Sequence, residues 1–515
     1  MIKYISRFSI LLFIFALVGC EDGLDLIPTG SVSEKIYWQR EKDAELAVNA
    51  AYNCLDDWNL IDMDGSTDIA YHAASGTGSF FDVGAGNIDP TNWAITDMWI
   101  KYYRGIRRAN DVIKNIDLIQ SGDAETMARI KAEARFLRAY YYTQLTSLWG
   151  GVPLILEPLT INVHTATTDK ATIVEFVINE LNDIISSNAL PLSYVGDNIG
   201  RATKGAAYAL LARVAIRNDM FNVARDAAKA VMDLGVYELY PDYVKLFQYA
   251  GENCKEVIFD RQYSIGGDIH DAFNHSSASL GGGSYVEPNR YLLKKYEYKG
   301  LVNPNDPYEN LDPRFGFTCY YTGQPCGNTI YNSWPNSTTV DRVNSSEWST
   351  DYGFNVRKWV DYEGDVANPA NGSINMILIR YADVLLMYAE SKIELNQIDQ
   401  SVYDAINAVR QRPTVEMPAI TTGKTQAQLR AIVRNERTVE FAFEGLRTFD
   451  VNRWKIGEDK IGVVQGCDYI DATTGKWTVL TRGYTRTFRT DRDYLWPIPQ
   501  SEIEINENIT QNPNY

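Results

Sequence analysis

Residues Thr203 to Leu234 read TKGAAYALLARVAIRNDMFNVARDAAKAVMDL, and this stretch decides the fold class. Ala207, Leu210, Leu211 and Val214 recur at three- and four-residue steps, which places them on one face of a helix. Arg217-Asn218-Asp219 interrupts the pattern as a turn. Phe221, Ala224, Ala228 and Val231 then repeat the same spacing in a second arm. Alanines at the crossing let two helix backbones approach closely, as tetratricopeptide-type pairs do. The design recurs further along the chain. Ile379, Ala382, Leu386, Ala389 and Ile393 form a stripe, Asn396 a turn, and Val402, Ala405, Ile406 and Val409 a second stripe that Pro413 closes. Two such hairpins, divergent in sequence, point to an irregular helical-repeat scaffold.

Working outward, the spacing predicts helices over 34–58, from Asp97 to Ile119, and from Ala124 to Trp149, where Gly150, Gly151 and Pro153 stop the last one. Helical scaffold is therefore expected over about 34–58, 97–235 and 376–515. Between these lie two stretches without helical period, about 59–96 and 240–375, rich in Gly, Asn, Asp and Pro. A short β segment is expected from Glu256 to Asp260. Loops carried on a rigid frame are where binding residues usually sit.

The N-terminus reads as an address. Lys3 and Arg7 precede an apolar run from Phe8 to Val18, the layout of a secretory leader. The run ends in Leu17-Val18-Gly19-Cys20, a lipobox, so residues 1–19 are expected to be removed and Cys20 to carry the lipid. Two or more acyl chains on one residue anchor stably where one does not. Residues 20–33 then form a polar tether, with Ser33 as a helix N-cap. The whole chain has a formal charge of −17, and loss of the leader removes only basic residues. Nucleic acid is thereby disfavoured as a partner, and the membrane must be held through the lipid.

Five further cysteines, Cys54, Cys254, Cys319, Cys326 and Cys467, are too scattered for a disulfide framework. A bond between Cys319 and Cys326 across the intervening turn stays open.

The chain contains none of the hydrolase, metalloprotease, nucleotide or dinucleotide fingerprints. No pair among its 66 acidic residues stands out as a catalytic dyad, so an enzyme is not expected. Asp268, His270, Asp271 and His275 match no metal spacing and read as a solvated loop. Asp62-Met63-Asp64-Gly65 is half a calcium loop without its distal glutamate. No cofactor is expected, calcium being the one ion with any sequence support.

Sugar binding makes a different demand: aromatic faces for the C–H surface of the ring, with carboxylates, amides and guanidinium groups for its hydroxyls. Tyrosines number 33 against 18 phenylalanines. The first loop region offers Asp68, Tyr71, Asn92 and Trp93. The second offers Tyr285, Tyr320, Tyr321, Trp334, Arg342 and Trp348. Trp99, Tyr102 and Tyr103, on a helix, are assigned to the core.

Three stretches carry a family resemblance: AEARFLRAYYYTQLTSLWGGVPLI from Ala132 to Ile155, RNERTVEFAFEGLRTFDVNRW from Arg434 to Trp454, and LWPIPQSEIEIN from Leu495 to Asn506 with QNPNY from Gln511 to Tyr515. Together with Asn110, Asp312-Pro313-Arg314-Phe315, Arg380-Tyr381-Ala382-Asp383 and the lipobox, they resemble the SusD/RagB family of Bacteroidetes outer-membrane nutrient-binding lipoproteins. Leu446 and Asn514 depart from the usual pattern. The charged residues Arg434, Glu436, Arg437, Glu440 and Glu444 are read as structural, their spacing permitting ion pairs along one helix. The resemblance implies a mainly α fold over residues 34–515, a single domain in which a tetratricopeptide-like scaffold supports a loop-rich ligand face. It also implies surface exposure on the outer membrane and a SusC-like TonB-dependent transporter as partner. The ligand class expected from the loops is an oligo- or polysaccharide. A RagB-like peptide binder is the alternative, and would use main-chain pairing in a groove.

Overall fold

The computed structural model describes residues 37–73, 79–159, 163–264, 267, 269–270, 272–362 and 372–515. The leader, Cys20, the tether, Ser33, Asp268 and Asp271 lie outside the described residues.

Among the described residues, the helices that position everything else are α1 (Glu41–Tyr52), α2 (Asn59–Gly65), α3 (Phe80–Ala85), α4 (Trp93–Asn115), α5 (Ala124–Leu148), α6 (Lys170–Ser187), α7 (Lys204–Ile216), α8 (Phe221–Asp233), α9 (Tyr381–Glu394), α10 (Gln400–Arg410), α11 (Gln426–Glu440) and α12 (Arg447–Trp454). Helix α4 packs on α5, α5 on α6, α6 on α7, α7 on α8, α8 on α9, and α9 on both α10 and α11. This is the helical-repeat scaffold expected from the two hairpins. The α7–α8 pair is close because Ala206, Ala207, Ala209, Ala212 and Ala215 on one arm and Ala224, Ala227 and Ala228 on the other are all buried. Both predicted turns carry a left-handed residue, Asp219 at φ 56° and Asn396 at φ 54°, a conformation that Asn and Asp tolerate better than most side chains. Side-chain caps start the helices: Asp123 accepts from the Thr126 amide at 2.8 Å and Thr203 from the Ala206 amide at 3.1 Å.

The strands form two-stranded antiparallel ribbons. β1 (Ala70–His72) pairs with β3 (Val286–Pro288), with Tyr71 opposite Glu287. β2 (Val257–Arg261), one residue on from the expected segment, pairs with β4 (Met376–Arg380). β5 (Gly462–Ile470) pairs with β6 (Trp477–Arg486). This last hairpin lies inside 376–515, where the sequence suggested helix throughout. Similarly, 59–96 is not one long loop but carries α2, β1 and α3.

The charged motif on α11 is structural, but its partners are not on its own helix. Glu440, fully buried, accepts from Arg380 at 2.8 Å, Arg412 at 3.1 Å and Arg314 at 2.8 Å. Glu444 takes Lys358 at 2.9 Å and Arg380 at 2.7 Å. Arg437 bridges Asp383 and Asp450 at 2.7 and 3.0 Å. Three guanidinium groups hold the Glu440 carboxyl far below the usual carboxylate range, despite a burial that opposes ionisation. Asn110 is equally occupied, donating to the Ile155 carbonyl at 2.9 Å and accepting from Arg138 at 2.8 Å. The C-terminal segment lies over the scaffold, with the Trp149 indole donating to the Pro497 carbonyl at 2.9 Å and Trp496 3% exposed.

Cys319 and Cys326 are free thiols rather than a disulfide, as are Cys54, Cys254 and Cys467. Cys326 Sγ sits 3.1 Å from Ser277 Oγ. His270 and His275 are buried, not in a solvated loop, and burial lowers each imidazole to about 4.

Candidate functional site

The loop-region residues fall into distinct environments. Asp68 is corrected from a ligand contact to a core ion pair: it is 3% exposed and both carboxylate oxygens are taken by Arg447. Asn92 is corrected likewise. Its side chain is the N-cap of α4, accepting from the Ile95 amide at 3.2 Å and donating to the Ser79 carbonyl at 3.1 Å, with 1% exposure. Tyr320 is also a core residue, stacked on Tyr331 with ring centroids 5.9 Å apart. In each case a polar or aromatic residue beside loop sequence found its partner inside. The sequence spacing could not reveal that partner.

Trp93 and Trp348 are displayed, 52% and 48% exposed. Trp334 is half-buried, its ring edge-on to Trp477 of β6 at 5.8 Å. Tyr321 stacks on Tyr308 at 4.1 Å. Arg342 is half-buried in a turn closed by its own amide on the Thr339 carbonyl. Trp99 and Tyr102 are core residues as assigned, while Tyr103 is half-buried and donates to the Pro153 carbonyl at 2.9 Å.

Tyr71 is the residue around which a site assembles. Its ring meets Tyr352 at 4.8 Å, Tyr484 at 5.0 Å and Phe81 at 6.1 Å. Four elements converge to make this cluster: β1, α3, the segment from Trp348 to Tyr352, and β6. Tyr71 and Tyr352 form its buried floor; Phe81 and Tyr484 are partly exposed at its edge. Beside them Asp351 and Arg482 form an ion pair at 3.0 Å with side chains 30% and 32% exposed. Such a pair offers acceptors and donors at the rim of an aromatic surface.

The two loop regions meet here through a main-chain bond, and a side-chain bond ties the second region to itself. The Ala73 amide donates to the Tyr285 carbonyl at 2.8 Å, and Ser284 Oγ donates to the Trp348 carbonyl at 2.9 Å. Tyr285 itself is half-buried, with its ring 6.3 Å from that of His275. Glu287 fixes the third element from below: the amides of Asp351 and Tyr352 donate to its carboxyl at 2.9 and 2.8 Å, and Thr350 Oγ1 also bonds to it. Burial, reinforced by Asp351, raises Glu287 to about 8. Sequence reasoning missed Phe81, Tyr352, Tyr484, Asp351 and Arg482 as a group. The one available signal was the run of Thr478, Val479, Thr481, Tyr484 and Thr485 between Trp477 and Arg486, residue types that favour a strand.

At the other end of β6, Trp477 lines a cleft of about 400 Å³ with Tyr298, Asn303, Arg290 and Asp468. No group of three or more His, Cys, Asp or Glu residues suited to a metal ion occurs among the described residues.

The SusD family profile matches residues 246–515, and a second profile, described as starch-binding associating with outer membrane, matches residues 34–216. The chain belongs to the SusD family. A SusD-like protein, P25, of Formosa agariphila is 25% identical over 533 residues, covering 96% of this chain and 95% of its own. A SusD-like carbohydrate-binding protein from Bacteroides fragilis superposes with a TM-score of 0.84 at 31% identity, over 92% of this chain and all of its own. Surface glycan-binding protein A of Bacteroides thetaiotaomicron, solved with laminarihexaose, shares the fold at a TM-score of 0.71 and 21% identity, over 93% of this chain and 100% of its own. Among the described residues of this SusD-family chain, no helix is long and apolar enough to cross a membrane.

Proposed function

We propose that this SusD-family chain is a non-catalytic surface lipoprotein that binds an oligo- or polysaccharide and delivers it to a SusC-like TonB-dependent transporter. The observation that carries the reading is the Tyr71–Phe81–Tyr352–Tyr484 cluster with the Asp351–Arg482 pair at its rim. Its partly exposed rings supply a stacking surface, and the ion pair supplies hydroxyl partners. Trp348, on the same segment as Asp351, displays a further aromatic face to solvent. The kinship with a carbohydrate-binding protein of the same fold supports the ligand class. In this reading Cys20 carries the lipid that holds the protein at the outer membrane.

The test is affinity electrophoresis of residues 21–515 through gels holding plant, microbial and host polysaccharides, alongside Tyr484→Ala and Trp348→Ala. Retardation by one polymer, weakened in either variant, is the expected outcome. Retardation by none, or retardation unchanged in both variants, overturns the assignment. In the second case Trp93 and the cleft beside Trp477 become the next surfaces to vary.

A further inference from the structure

A second cleft, of about 270 Å³, opens where the α7–α8 turn, the first turn of α6 and the end of α12 meet. Its charged lining is lopsided. Lys170, Arg217, Arg453 and Lys455 face it, against one acid, Asp219. Arg453 is already spoken for, paired with Glu390 and Asp450 at 2.7 and 2.8 Å. The other three cations have no carboxylate within ion-pair distance among the described residues.

Arg217 is the centre of the arrangement. It is 9% exposed, its guanidinium lies 3.5 Å from the centroid of the Phe449 ring, and its only hydrogen bonds among the described residues leave from Nη1, to Gln144 at 2.9 Å and Ser147 at 3.4 Å. Nε and Nη2 make no hydrogen bond among the described residues, and Arg217 lines the cleft. A guanidinium this buried ordinarily has a counter-charge, because removing a charge from water without one is costly. Lys455 caps α12 in the left-handed conformation, φ 56°, with Nζ 4.2 Å from the centroid of the Tyr494 ring. The Tyr494 hydroxyl accepts from the Gly457 amide at 3.2 Å, which leaves its proton available to donate. Lys170 is the first residue of α6, whose N-terminus is capped by the Asp169 carboxylate on the Thr172 amide.

Burial and mutual repulsion disfavour the charged forms of these groups. Burial and the neighbouring Arg213 bring Arg217 down to about 9, against the pull of Asp383 and Asp450. Burial, then Lys455 and Arg217, lower Lys170, with Asp219 opposing; burial lowers Lys455. Packing accounts for one face of Arg217, on Phe449, and Lys455 is exposed to solvent, but the cleft still gathers three cations without an ion-pair partner among the described residues of a chain whose formal charge is −17.

We infer that the cleft between Lys170, Arg217 and Lys455 binds a single oxyanion, a carboxylate, sulfate or phosphate group presented by a soluble ligand. Arg217 supplies the planar two-donor face that such groups match, the two lysines supply charge, and Tyr494 supplies one neutral donor. The site is separate from the aromatic surface and does not rest on the glycan reading, since a neutral sugar offers no charge to it.

The test is thermal unfolding and calorimetric titration of residues 21–515 with sodium sulfate, inorganic phosphate or glucuronate, each against sodium chloride at matched ionic strength. The Lys170→Gln/Lys455→Gln double variant is run in parallel. It spares Arg217, whose contacts with Phe449 and Gln144 serve the fold. A saturable rise in Tm of about 2–4 °C with at least one anion is expected, with the apparent affinity about tenfold or more weaker in the double variant. A response to sulfate and phosphate alone assigns a tetrahedral oxyanion; a response to glucuronate alone assigns a carboxylate. Equal Tm in all anions and chloride, or an unchanged response in the double variant, overturns the inference.

Discussion

The Arg447 guanidinium closes on the Asp68 carboxylate through two bonds, Nε to Oδ1 at 2.8 Å and Nη2 to Oδ2 at 2.6 Å, between residues that are both buried. The pair ties the loop region before β1 to the start of α12, and its geometry is the bidentate form that Arg makes best. Asp68→Ala leaves a buried guanidinium without its partner and should cost about 3–5 kcal/mol of unfolding free energy. Urea denaturation measures it; a loss under about 1 kcal/mol would show that the pair contributes little to stability.

Glu440 sets a stronger test of the scaffold. Its carboxylate is shared by Arg314, Arg380 and Arg412, so Glu440→Ala takes one carboxylate from three buried cations at once and leaves them only Asp312, Glu436, Glu256 and Glu444. A loss of about 4 kcal/mol or more, or failure to accumulate as folded protein, is expected. A well-folded variant with near-native Tm would contradict the structural role given to the α11 motif.

Trp348 and Trp93 are expected to behave in the opposite way, because their rings are half exposed. Trp348→Ala should change stability by no more than about 0.5 kcal/mol. If its ring stacks on sugar, ligand affinity should fall by about 1–3 kcal/mol, on the scale of aromatic stacking with nucleobases. Isothermal titration with the polymer identified by electrophoresis separates the two effects.

Glu287 links stability to pH. Its folded-state value, about 8, stands above that of an ordinary carboxyl, so folding takes up a proton between the two values. The contribution is fully present below the ordinary carboxylate range and is lost as pH rises through about 8. Glu287→Gln removes this term: from pH 5 to pH 8 the wild type should lose stability relative to the variant. Parallel Tm–pH curves for the two proteins would show that Glu287 does not titrate this way.

The anchor is tested directly. A Cys20→Ala protein should appear in the soluble fraction and take up no labelled palmitate; retention in the outer-membrane fraction would remove the lipid attachment from the proposed function.

The helical-repeat scaffold was legible because its signal is local and repeated. Apolar residues at three- and four-residue steps, alanines at the α7–α8 crossing and left-handed turns at Asp219 and Asn396 are each visible within one short window. The hairpin of β5 and β6 was not, since β6 is half exposed and β5 buries Val464, Gly466, Cys467 and Asp468 without a regular apolar alternation, its pairing broken by register shifts. Asp68 shows the limit at the site. Beside Tyr71 in a polar stretch it looks like a ligand contact, and only the fold brings Arg447 to it across 379 residues of chain.

By itself, then, the sequence determined the helical scaffold and the family, because these depend on periodicity and contiguous motifs, and it set the expectation of a cleaved leader with the lipid on Cys20. The tertiary structure alone decided which aromatic residues share a surface and which acids are spent on the core. It also placed no carboxylate within ion-pair distance of Arg217 among the described residues. Those outcomes depend on side chains far apart in the chain competing for the same few ångströms, and no local pattern records who wins.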